Sequence, residues 1–125
     1  MTLDNALGLS ARLMSEFGVR TGLSTAARNQ QRYLWTDAFA VCNFLELFRR
    51  SDEKYERYAI QLIEQVHHVL GRYRADDTRS GWISGLDEES GQRHPTAGGL
   101  RIGKPLKERS ASEPPDEHLE WDRDG

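Results

Sequence analysis

The segment AFAVCNFLELF, residues 38–48, constrains the fold more than any other part of this chain. Phe39, Val41, Phe44, Leu45, Leu47 and Phe48 fall all round a helical wheel and leave little polar face, and a helix of that kind is buried on most of its sides. Thr36 and Asp37 are both good N-caps, so the helix is expected over about 37–50. Only Ser51 and Asp52 separate it from a second periodic segment, 53–70. There Tyr55, Tyr58, Ala59, Leu62, Ile63, Val66, Val69 and Leu70 recur at i, i+3, i+4, i+7 spacing, and Gly71 is the preferred residue just past a helix end. So short a link folds the two helices antiparallel into an αα-hairpin. A further helix over about 4–17 is marked by Leu3, Leu7, Leu13, Met14 and Phe17, with Gly18 as its stop. The fold class is therefore all-α.

The rest of the chain has a different character. Residues 1–75 carry ten Lys/Arg and eight Asp/Glu, a balance of +2, whereas residues 76–125 carry seven and twelve, a balance of −5. All four prolines and seven of the eleven glycines lie in the second part. Residues 1–75 thus read as the helical, core-forming part, and residues 76–125 as a Gly/Pro-rich acidic loop or tail. Disordered tails usually lack Trp and Ile, so Trp82, Ile83 and Ile102 predict that part of this loop packs.

Composition excludes several classes. No run approaches the ~20 apolar residues of a membrane span. The N-terminal MTLDNALGLSARLM has no basic stretch followed by an unbroken apolar core, so no secretory signal is read and the expected location is cytoplasmic. The single cysteine, Cys42, leaves no disulfide framework and no Cys-rich zinc module; on the apolar helix it reads as inert packing. A net charge of −3 argues against nucleic acid as a partner. The one E-x-x-H pair, Glu64 and His67, lies off the apolar stripe, so neither a metal nor any other cofactor is expected.

A core of about 70 ordered residues supplies roughly 3–5 kcal/mol, and one hairpin with one further helix cannot cover an all-apolar helix. Stacked or ring-closed αα-hairpins would cover it, as would a second copy of the chain. The chain thus reads either as the leading segment of a larger protein or as a homo-oligomer.

Two groups of residues suit carbohydrate chemistry. Asp37, beside Trp35, reads either as an N-cap with a hydrophobic staple or as a carboxylate at the mouth of a pocket next to a stacking aromatic. Glu117, Glu120, Asp122 and Asp124 surround Trp121; paired carboxylates flanking a bond are what glycoside cleavage needs, although a solvated acidic terminus has the same composition. The segment from Gly81 to Pro105 mixes glycine, aromatic, imidazole and cationic groups and contains no phosphate-loop motif.

The segments RYLWTDAFAVCNFLELFRR, YERYAIQLIEQVHHVLGRYR, GWISGLDEESGQRHPTAGGLRIGKPLKER and DEHLEWDRDG together span residues 32–125. They resemble the N-terminal region of bacterial proteins of the six-hairpin glycosidase-like type, which are similar to N-acylglucosamine 2-epimerase-like and glycoside hydrolase proteins. The resemblance implies an (α/α)6 toroid of which this chain is a truncated leading part, a carbohydrate substrate, and a site at the inner-helix N-termini. It implies Asp37, Glu120 and Asp122 as catalytic carboxylates, Trp35, Trp82 and Trp121 as stacking platforms, and His94, Arg101 and Lys104 as polar contacts. The activity expected of the whole protein is that of a glycoside hydrolase or sugar epimerase, with the isolated fragment inactive. The alternative is a non-catalytic helical module that self-associates through its apolar helix.

Overall fold

A computed structural model describes residues 2–24, 30–106 and 112–114. Four helices occur among them: α1 (Leu3–Arg20), α2 (Leu34–Arg50), α3 (Lys54–Leu70) and α4 (Glu88–Arg93). The described residues contain no β-strand beyond an isolated antiparallel bridge between Arg72 and Trp82. The chain forms two compact units, Met1–Val66 and His67–Gly125.

In the first unit, α1 is capped by Thr2, whose hydroxyl accepts from the Asn5 N–H at 3.1 Å. The expected stop at Gly18 is not the stop. Gly18 is buried within the helix, where a Cβ would lie 3.1 Å from the Ser24 hydroxyl. The chain leaves the helix at Gly22, which holds φ at +80°. Leu23 N–H returns to the Gly18 carbonyl at 2.9 Å and Gly22 N–H to that of Val19 at 3.3 Å. This is the Schellman pattern, and a glycine at its left-handed position avoids the Cβ clash.

That turn drives Leu23 into the core, and its carbonyl accepts from Gln61 Nε2 on α3 at 2.8 Å. The α2–α3 hairpin folds about Ser51–Glu53, where the Asp52 carboxylate accepts from the Lys54 N–H at 2.8 Å. Phe44 meets Tyr58 at 5.7 Å and Tyr55 at 6.4 Å between ring centroids, which brings α3 back along α2. With Met14, Ala40, Leu47, Ala59 and Leu62 these rings form the buried core. Each large side chain so buried contributes about 1.5–3 kcal/mol.

Helix α2 departs from expectation in two ways. It begins at Leu34, not at Asp37, and Tyr33 takes the N-cap position without a side-chain cap. Asp37 lies inside the first turn, reaching back to accept from the Tyr33 N–H at 3.0 Å. Nor is the helix buried on most sides. Asp37, Ala40, Phe44 and Leu47 face the core, while Trp35, Phe39, Leu45 and Phe48 are exposed, Phe39 by 73%. Cys42 is exposed as well, which corrects its reading as a packing residue. In the first unit α1 and α3 cover one arc of α2, and no described residue covers the arc carrying Phe39.

Candidate functional site

The second unit is built around the end of α3. A helix leaves its last carbonyls without partners, and here a returning segment supplies donors. Gly71 N–H bonds the His67 carbonyl at 3.0 Å, Arg101 N–H that of Leu70 at 2.9 Å, and Ile83 N–H that of Gly71 at 2.9 Å. The Arg101 guanidinium donates from Nε to the Arg72 carbonyl at 2.8 Å and from Nη2 to that of Val69 at 3.2 Å. A cation at a helix C-terminus also complements the macrodipole. Gly71 is needed for closeness rather than for a left-handed turn: its φ is not positive, and a Cβ there would lie 2.2 Å from the Pro95 carbonyl oxygen.

The loop around Gly98–Gly99 closes against Ser84. A Cβ on Gly98 would lie 2.2 Å from the Ser84 nitrogen, and Gly99 holds φ at +84°. Between this loop and residues 73–83 lies a cleft of about 290 Å³. Its walls are Tyr73, Arg74, Asp77, Arg79, Ile83, Gly98, Gly99, Leu100, Arg101, Lys104 and Leu106.

The cleft's charges are held in place by pairing. Arg74 makes a two-pronged contact with Asp76, at 2.9 and 3.0 Å, and donates from Nη1 to the Lys104 carbonyl at 2.8 Å. Arg79 grips Asp77 through Nε and Nη2, each at 3.1 Å, and lies 4.4 Å over the Tyr73 ring. Burial, together with the neighbouring Arg74 charge, holds the Arg101 guanidinium below its ordinary pKa. Such an arrangement of cations round an aromatic and exposed glycine backbone suits a polar ligand of small-molecule size.

Of the residues expected from sequence, Arg101 and Lys104 come together in this cleft. Trp82 does not serve as a platform. It is 2% exposed, with Arg72 stacked 3.9 Å over its ring, His68 edge-on at 5.9 Å, and Gly91 against its indole. It is the core residue of the second unit, because only an interior position removes so large an apolar surface from water. His94 is exposed at the end of α4, where its N–H reaches the Ser90 carbonyl at 3.0 Å, and it does not line the cleft. Helix α4 itself lies in a stretch expected to be loop; Asp87 caps it by accepting from the Ser90 N–H at 2.7 Å.

Asp37 is not at a pocket mouth. It is 1% exposed, and its Oδ2 lies 3.6 Å from Nε of the equally buried Arg32. Arg32 in turn bonds the Gln31 carbonyl at 3.0 Å and the Thr21 carbonyl and hydroxyl. Burial pushes the Asp37 carboxyl above its ordinary range, against the opposing pull of Arg32 and of the Tyr33 N–H. Its carboxylate is thus committed to structure. Trp35 is 52% exposed, its ring edge-on to Tyr33 at 5.8 Å. Glu120, Trp121 and Asp122 lie outside the described residues.

Sequence reading missed Tyr73, Arg74, Asp77 and Arg79. The available signal was the run RYRADDTR directly after a helix end, in which cations alternate with carboxylates at turn spacing. A second hollow, of about 370 Å³, lies between α1 and α2 and is walled largely by apolar side chains, including Leu3, Leu7, Leu13 and Met14. Among the described residues no three His, Cys, Asp or Glu side chains are placed to share a metal ion. No helix among them is long and apolar enough to cross a membrane. No protein-family model, curated protein or solved structure matches the chain.

Proposed function

We propose that this chain is the ligand-binding leading part of a carbohydrate-active (α/α) toroid, of glycoside hydrolase or sugar epimerase type, and that the cleft in residues 67–106 receives the sugar. The observation that carries this reading is the cleft itself: its cationic donors, the Tyr73 ring and the glycine backbone are the groups that hydroxyl-rich ligands use. The uncovered face of α2 supports it, since further αα-hairpins packed there would bury Trp35, Phe39 and Leu45. Acid–base cleavage needs two carboxylates about 5–10 Å apart flanking the bond. Asp37 is buried against Arg32 and Asp77 is gripped by Arg79, so neither of these two carboxylates is free to serve as the acid or the base. Glu120 and Asp122 are the remaining candidates, and Asp122→Asn in a turnover-competent protein should abolish turnover.

Amide-detected NMR titration with neutral, amino and phosphorylated hexoses tests the binding reading. Saturable shifts confined to residues 67–106 are expected. No shift there with any of these sugars would refute it.

A second reading, a self-associating helical module, is favoured by one observation: Phe39 stands 73% exposed on a helix that also carries exposed Trp35, Cys42 and Leu45. Contiguous apolar surface of this kind marks association sites. Sedimentation equilibrium separates the two, since this module would dimerise at micromolar concentration without a ligand.

A further inference from the structure

We propose that two copies of this chain pair through α2, antiparallel, about a twofold axis that passes beside Cys42. The inference rests on the self-association reading and specifies it; the sugar cleft belongs to the other compact unit and plays no part. At about 100° per residue, Asp37, Ala40, Phe44 and Leu47 mark the inward arc of α2, and Cys42 stands opposite the centre of that arc. Trp35, Ala38, Phe39, Leu45 and Arg49 lie within about 60° of Cys42, and all are exposed. The uncovered face is thus a strip along the whole helix rather than a patch at one end.

The symmetry of the strip identifies its occupant. Cys42 is the middle residue of Leu34–Arg50. A twofold beside it sets each residue at the level of the one equally far from Cys42 on the opposite side. Phe39 then meets Leu45 of the second copy, Ala38 meets Glu46, and Trp35 meets Arg49. The small side chains of Ala38 and Cys42 fall where the two helices come closest, and interaxial distance is set by the side chains at that contact. The exposed charges complement one another in the same sense. Glu46, Arg49 and Arg50 all lie towards the end of α2, where Glu46 pairs with both cations, whereas Asp37 near its start is buried. An antiparallel pair lays this charged end along the uncharged, aromatic start of the other copy and brings Arg49 to the Trp35 ring, a cation–π contact. A parallel pair would set Arg49 and Arg50 against themselves, which like charges oppose. One strip supplies both halves of the match, as an isologous interface requires.

Sedimentation equilibrium of the full chain, with and without Phe39→Asp, tests the pairing, and cysteine crosslinking tests its direction. The parent should pass from monomer to dimer at micromolar concentration, and Phe39→Asp should weaken the dimer at least tenfold. Oxidation by dissolved oxygen with copper phenanthroline should join the parent dimer through Cys42. In a Cys42→Ser background, chains carrying Ala38→Cys mixed with chains carrying Glu46→Cys should form mixed disulfides in excess of either like pair. A parent that stays monomeric to about 1 mM overturns this inference and the self-association reading together. A dimer that does not crosslink at Cys42, or in which like pairs match or exceed the mixed one, overturns the inference and leaves self-association standing. A dimer that Phe39→Asp leaves unchanged does the same. If Phe39→Asp does not fold, sedimentation and crosslinking of the other chains decide alone.

Discussion

Replacing Gly91 by alanine tests how the second unit is packed. A Cβ built on Gly91 lies 2.1 Å from Cδ1 of Trp82, 2.2 Å from Nε1 and 2.4 Å from Cγ. Carbon atoms in contact sit about 3.5 Å or more apart, so the indole must retreat by about 1.4 Å. It has little room, being 2% exposed with Arg72 stacked 3.9 Å over its ring. Overpacking of a closed core costs about 1–3 kcal/mol, and a rigid ring met at this distance belongs at the upper end. Alanine recovers up to about 1 kcal/mol over glycine inside a helix, so the net loss should be near 2 kcal/mol.

Gly8→Ala is the matched control. Gly8 lies inside α1 with nothing within 4 Å of the added Cβ, so only the helix-propensity gain of about 1 kcal/mol should remain. Urea unfolding followed by near-ultraviolet circular dichroism should show the Gly91→Ala midpoint lower by roughly 1–2 M and the Gly8→Ala midpoint higher. Hydrogen exchange at residues 82–94 should accelerate in the first variant and not in the second. If Gly91→Ala matched or exceeded the parent in stability, the close approach of α4 to Trp82 would be refuted.

Asp37→Asn leaves Arg32 buried without its counter-charge and should destabilise the first unit by about 3 kcal/mol, whereas the paired replacement Arg32→Met, Asp37→Leu should recover most of that loss; thermal unfolding of the two variants measures both. The Glu46 and Glu88 carboxyls are held down to about 2 by hydrogen bonds, the first from Arg49 and Arg50, the second from Arg72 and Gln92. Because these folded-state values lie below the ordinary 4.5, their contribution is complete above that pH and is lost as pH falls towards 2. Carboxyl NMR titration should find both midpoints well below 4.5 and rising with salt, and midpoints at the ordinary value would contradict the ion pairs. Phe39→Ser should leave stability within about 0.5 kcal/mol while weakening any self-association seen by sedimentation, since this side chain is largely in water.

Local pattern was enough to place α1, α2 and α3, though not the short α4. The spacing of Tyr55, Ala59, Leu62 and Val66 marks α3 because a stripe at 3.6-residue period has one energetically sensible orientation. The short link, three residues in the structure, fixes the hairpin because so short a connection permits little else. Trp82 and Ile83 likewise signalled that the glycine-rich stretch packs, since large apolar side chains are costly to leave in water.

What the pattern could not contain was the rotational phase of α2. A helix with apolar residues on every side has no preferred inward face, so nothing local said that Asp37 turns in and Phe39 out. That choice is made by Arg32, on the non-helical approach to α2, whose buried charge requires the carboxylate. The cleft has the same origin. Arg101 stands about thirty residues from the carbonyls of Val69 and Arg72 that it holds, and it reaches them because the end of α3 leaves those groups unsatisfied. Sequence alone determined that the segments of α1, α2 and α3 become helical, through periodicity and chain connectivity. Tertiary structure decided which charged groups are spent on the fold and which line the cleft, because burial and long-range pairing exist only once the chain has closed on itself.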